Sequence, residues 1–224
     1  MKKIMLIDDR TERQTKFDEE TSINLDKYSD VLDNFTADSY EELLEEFKKN
    51  DFSRLNKYEV IITHRSAFGD LNGQVISTFK EICKQKDKPK SLVFFSGGIS
   101  SVSIKNSPFE HLLLNSKNFY SNNLQLFLEL SKECKPNLLV LAFGENWKIN
   151  LLLNSLEKMN VFIGKNNSAE SIVYEEFADE VQMDLIRDFL IFDEPSNDFL
   201  KMQDFKKLTK DLRNQIKQQV VLNV

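Results

Sequence analysis

The chain is short of the residues that punctuate and cross-link a fold. Its 224 residues hold 6 Gly, 4 Pro, 2 Cys, 2 His and a single Trp. The cysteines, Cys83 and Cys134, stand far apart and in no CxxC pair. That excludes a disulfide scaffold and fits a reducing compartment. No apolar run approaches the ~18 residues of a membrane-spanning helix; the longest are Leu138–Phe143 and Leu151–Leu153. An excess of basic charge is missing too. Against 30 Lys and Arg stand 36 Asp and Glu, a net charge of −6, without the basic footprint of a nucleic-acid binder. No GxxxxGK[ST] occurs, so no loop of that kind cradles a nucleotide's phosphates. Met1–Asp9 reaches acids after a very short apolar stretch, unlike a secretory signal. The expectation is a cytoplasmic protein that touches neither membrane nor nucleic acid.

What is there is phenylalanine, 18 of it, in an ordinary globular balance of 41% hydrophobic and 29% charged residues. That balance excludes wholesale disorder and a coiled coil. Ile4–Ile7 is a short apolar run closed by Asp8 and Asp9 and reads as a buried strand. Arg10 to about Ile23 reads as a surface helix, and Asp30–Phe35 as a weaker strand. Ser39 with Glu42 three residues on forms a capping box for a helix with Leu43, Leu44 and Phe47 on one face. Tyr58–Thr63, rich in β-branched residues, is another buried strand. Val75–Lys84 has helical spacing and takes in Cys83, and Lys86–Lys90 is a turn. Leu92–Phe95 and Leu112–Leu114 are strands, and Asn122–Lys132 is a helix. Apolar strands alternating with helices imply a parallel sheet covered on both faces. Residues 1–133 therefore read as a doubly wound α/β domain.

Residues 134–224 read as an α-rich extension that begins with a β-α unit. Leu138–Phe143 is expected as a strand, Trp147–Met159 as a helix and Val161–Ile163 as a further short strand. Acids dominate Glu170–Asp198, where Arg187 is the single base; a basic helix, Lys201–Lys217, follows with Met202, Phe205, Leu208, Leu212 and Ile216 on one face. Whether this part extends the first sheet or opens a second domain stays open.

Four short motifs fall at the C-terminal ends of the expected strands, where open α/β sheets place their sites. They are Asp8-Asp9, Thr63-His64-Arg65, Ser96-Gly97-Gly98 and Lys117-Asn118-Phe119. In this order they resemble the receiver domain of two-component response regulators, over roughly residues 1–133. The resemblance implies a flavodoxin-like sheet. It also implies a pocket in which Asp8 and Asp9 help bind Mg²⁺, Ser96 contacts a phosphoryl group and Lys117 pairs with it. At the position of the phosphoacceptor aspartate this chain has His64, or Thr63 if the register shifts by one residue. An imidazole removes both the nucleophile and an oxygen ligand of the kind Mg²⁺ prefers, so the resemblance is to a degenerate pseudo-receiver in which aspartyl phosphorylation is absent. Lys117 is expected to pair with Asp8 or Asp9 instead. Receivers engage partners or a second copy through their last helices, which makes Phe119, Leu124 and Phe127 interface candidates for a protein partner or a homodimer.

Three readings stay open. The first is a response-regulator-like signalling protein that works through protein contacts. The second is a metal-dependent phosphoryl-transfer or hydrolytic enzyme using Asp8, Asp9 and His64, with Ser96 and Lys117 on a phosphate. The third is a structural subunit whose α/β domain is a scaffold. Phe95–Gly98 and Leu190–Asn197 resemble pieces of ABC-type ATPases. They lie nearly a hundred residues apart and lack a phosphate loop, which sets that family aside.

Overall fold

The computed structural model describes residues 3–85, 87–190, 195 and 198–222. Lys86, Phe192 and most of Leu190–Asn197 thus lie outside the described residues. Within them the chain divides into two units, Met1–Glu145 and Asn146–Val224.

In the first unit the strands are β1 (Ile4–Ile7), β2 (Leu32–Phe35), β3 (Val60–His64), β4 (Ser91–Ser96), β5 (Ser103–Lys105) and β6 (His111–Asn115). Its helices are α1 (Thr11–Thr21), α2 (Ala37–Lys48), α3 (Asn72–Cys83), α4 (Ser116–Phe119), α5 (Asn122–Glu133) and α6 (Leu138–Phe143). The six strands form one sheet in the order β2-β1-β3-β4-β6-β5. All neighbours run parallel except β5, which pairs antiparallel with β6 at the edge. This is the doubly wound, flavodoxin-like arrangement, with the added edge strand β5 that the sequence reading passed over. Strands β1 and β3 are buried throughout, as continuous apolar runs require when both faces are covered.

Side chains alternate across the sheet. Met5, Ile7, Ile61, Leu92 and Phe94 pack on one face with Leu43 and Phe47 of α2 and Val75, Phe79 and Cys83 of α3. The register puts Leu6, Ile62, Val93 and Leu112 on the other face. There Phe95 stacks on Phe119 at 4.3 Å, and Tyr120 bridges to Phe17 of α1 at 5.5 Å. Lys3, at the foot of β1, donates to the carbonyls of Ser131 and Cys134 at the end of α5, both at 2.9 Å. Helix α2 starts earlier than expected: Thr36 is the N-cap, and Ser39 Oγ accepts from Thr36 N–H at 3.1 Å.

Leu138–Phe143, expected as a strand, is α6. A six-residue apolar run is compatible with either structure, and here its two ends decide. Asn137 accepts from Leu139 N–H at 3.0 Å as an N-cap, and Gly144 ends the helix at φ 76°. The segment belongs to the first unit, packed against α5 and β6, so that unit runs twelve residues beyond the expected boundary at 133 (145 − 133 = 12).

The second unit contains α7 (Trp147–Lys165), β7 (Ser171–Val173), α8 (Tyr174–Val181), α9 (Met183–Ile186), β8 (Phe199–Lys201) and α10 (Met202–Leu222). Val161–Ile163, expected as a strand, is the last part of α7; nothing between Met159 and Val161 breaks the helix. Strands β7 and β8 pair as a small antiparallel ribbon. The basic helix keeps its expected buried stripe of Met202, Phe205, Leu208, Leu212 and Ile216. Phe205 meets Phe177 of α8 at 4.6 Å and Phe162 of α7 at 5.8 Å. Aromatic packing holds these helices together, while Phe199 on the ribbon is 54% exposed. No helix among the described residues is long and apolar enough to cross a membrane.

Candidate functional site

The C-terminal ends of β1, β3, β4 and β6 bring the sequence-picked residues to one end of the sheet. Asp8 follows β1 and is fully buried. Its Oδ2 accepts from the Tyr120 hydroxyl at 2.6 Å. Its Oδ1 accepts from Arg10 N–H at 3.1 Å and from Arg13 Nη1 in a short ion pair. The same Arg13 nitrogen reaches Asp9 Oδ1 at 3.2 Å. Arg13 therefore lies between the two carboxylates. Its place follows from the local fold: α1 begins at Thr11 after the extended N-cap Arg10, so Arg13 stands in the first turn, where helical side chains lean back toward the N-terminus and hence toward the residues that close β1.

His64 closes β3, buried, with its ring 5.4 Å from that of Phe95. Its Nδ1 stands 3.3 Å from Asp9 Oδ1 and 3.4 Å from Ser66 Oγ. Ser96 ends β4, where its Oγ accepts from Gly98 N–H at 3.4 Å and so shapes the turn. Lys117 lies on α4, exposed. It does not take the acids as expected; Arg13 holds that place, and Lys117 has no ion pair among the described residues. Arg10 approaches Asp9 Oδ2 with its Nε at 3.8 Å.

These contacts set the charge states. Burial pushes the Asp8 carboxyl above its usual value, and the Tyr120 hydrogen bond and the Arg13 charge restrain the rise. Burial, with Asp8 alongside, raises the Tyr120 phenol well above its usual value, so Tyr120 remains a donor. Burial lowers the His64 pKa, Arg13 adds to that, and Asp9 opposes it. The net effect favours the neutral imidazole.

Magnesium takes an octahedron of oxygen ligands and keeps several waters. Asp8 offers two oxygens that are already engaged, and Asp9 shares its Oδ1 with a guanidinium. Where a third carboxylate would stand there is an imidazole. Among the described residues no three His, Cys, Asp or Glu side chains assemble as a metal-binding group. The donor set does not fit the Mg²⁺ that the resemblance implies.

The interface candidates are corrected as well. Phe119, Leu124 and Phe127 are buried, because they form the apolar face that fixes α4 and α5. On α5 the large exposed hydrophobic is Leu130, 46% exposed.

Two open cavities flank the site. One, of about 580 Å³, is lined by Arg10, Arg13, His64, Gly97, Asn115, Ser116 and Lys117. The other, of about 810 Å³, lies between the starts of α1 and α2 and mixes Arg10, Arg13 and Lys16 with Asp9, Asp38 and Glu41. Sequence reasoning found Asp8, Asp9, His64, Ser96 and Lys117 but missed Arg13 and Tyr120, the two side chains that hold Asp8. The i,i+4 spacing from Asp9 to Arg13 was the available signal for the first. Tyr120 carried none, since only the fold brings it to β1. The chain matches no family model, no curated protein and no solved structure.

Proposed function

We propose that this chain is an atypical response-regulator-like signalling protein, a pseudo-receiver that acts through protein–protein contacts without aspartyl phosphorylation. The observation that carries the reading is the Arg13 guanidinium between Asp8 and Asp9, facing His64 at the end of β3. Acyl phosphate formation needs a carboxylate nucleophile beside a cation that offsets the incoming charge. Here an imidazole stands where that carboxylate would be, and a built-in cation occupies the acid pair. The arrangement holds the site in one state without an added group. Signalling then falls to surfaces, and on α5 the side chains open to a partner are Asn122, Glu129, Leu130, Lys132 and Glu133.

The test is intact-mass spectrometry after incubation with acetyl phosphate and Mg²⁺. The expected result is an unchanged mass. A gain of one phosphoryl group that disappears in a His64→Ala variant overturns the reading.

A further inference from the structure

The cavity walled by Arg10, Arg13 and Lys117 is set up for an anion rather than for a metal. Its position is the first reason. In the order β2-β1-β3-β4-β6-β5 the chain reverses direction between β1 and β3, and open α/β sheets bind ligands in the crevice outside the strand ends at that switch point. The walls come from the last residues of β3 and β6 and from the segments that follow β1, β4 and β6.

Charge and free donors are the second reason. In a chain of net charge −6, the lining side chains include three cations and no carboxylate. The nearest acids are already committed: Asp8 is buried against Tyr120 and Arg13, and Asp9 shares Arg13 with it and has Arg10 Nε at 3.8 Å. Only Nη1 of Arg13 is used for this. Its Nε and Nη2, and Lys117 Nζ, have no hydrogen-bond acceptor among the described residues. A guanidinium with free donors beside a lysine matches the several oxygens of a phosphate. Nothing lies within 4 Å of where a Cβ of Gly97 would stand, so that part of the wall is bare backbone that a ligand can approach. The cavity, at about 580 Å³, falls within the roughly 300–1,000 Å³ of small-molecule sites and leaves room for an organic group beyond the anion.

We propose that this cavity binds, non-covalently, the dianionic phosphate of a small soluble phosphomonoester. The inference names the input to the site described above, and it rests on the reading that His64 leaves no carboxylate there for covalent phosphorylation.

The experiment is an NMR titration of the ¹⁵N-labelled full chain at pH 7.5 and low salt. The probes are inorganic phosphate, glucose 6-phosphate and, as a control, glucose. Saturable shifts are expected from both phosphates and none from glucose, centred on residues 10–13, 64, 97 and 115–117. Lys117→Ala and Arg10→Ala, both at exposed positions, are expected to raise Kd at least tenfold, while Lys132→Ala on α5 leaves it unchanged. The proposal is overturned if sodium chloride at equal ionic strength reproduces the shifts, if they spread over exposed lysines, or if neither cavity variant weakens them. Mass gain from acetyl phosphate is a separate readout. A gain overturns the pseudo-receiver reading, whereas failure to bind phosphate with the mass unchanged overturns only the inference drawn from the cavity.

Discussion

His64 and Asp8 respond to pH in opposite directions, which gives the site a measurable signature. Burial holds His64 below 6.5, the value its imidazole takes when unfolded. Between the folded value and 6.5 the unfolded chain binds more protons, so the stability tied to neutral His64 is complete above pH 6.5 and is lost as the pH falls through that window. Asp8 is raised above 3.8. There the folded chain holds the extra proton, and stability falls as the pH rises from 3.8 through the folded value. The groups facing His64 are Asp9, Arg13 and Arg10, two cations and one acid. A His64→Gln variant removes the first effect and leaves the second. Urea unfolding between pH 7 and pH 5.5 is expected to show a smaller loss of stability on acidification in the variant than in the parent chain. Equal losses would show that His64 is not held neutral.

At the scale of elements, α6 shows how end residues decide an ambiguous segment. Leu138–Phe143 reads as a strand from its apolar run, yet a capping Asn137 and a terminal Gly144 make it a helix. Gly144 sits at φ 76° and ψ −159°, a region open almost only to glycine. A Cβ there would stand 2.7 Å from Asn123 Oδ1. Gly144→Ala is therefore expected to destabilise the chain by about 1–3 kcal/mol, read as a lower urea midpoint. Asn137→Ala is expected to cost about 1 kcal/mol through the lost cap. If both variants unfold like the parent, these end contacts do not hold α6. Four of the five parallel strands were legible because each holds an apolar run of strand length closed by a turn or by acids; β2, Leu-Asp-Asn-Phe with its two middle residues half-buried, gave the weaker signal. Edge strand β5 was not. Ser103–Lys105 carries one buried side chain, Ile104, and pairing on one side alone needs no run.

For the whole molecule, the aromatic excess resolves into core packing within each unit. Phe47, Phe68 and Phe79 meet edge to face on one side of the sheet, with ring centroids 5.6–5.7 Å apart. Phe95, Phe119 and Tyr120 pack on the other, and Phe162, Phe177 and Phe205 form the centre of the helical unit. Each cluster lies within a single unit, and the first unit has a complete sheet with helices on both faces. Residues 1–145 expressed alone are accordingly expected to unfold in one cooperative transition. A fragment that binds a hydrophobic dye and melts without a transition would show that its core is incomplete.

The sequence by itself determined the α/β class, most of the parallel strands and which strand ends carry the clustered polar residues, because apolar runs and strand-end motifs are local properties of the chain. It also determined that no carboxylate follows β3, since His64 stands there. Only the tertiary structure decided what the acid pair does. Asp8 and Asp9 became an occupied ion pair because α1 brings Arg13 back to them and because Tyr120, 112 residues away in sequence, is carried to β1 by the packing of Phe119 on Phe95. Burial then set the protonation states, and burial is a property of the assembled fold. The scarcity of glycine also took on meaning there: with 6 in the chain, one caps α6 and another leaves open the wall of the cavity.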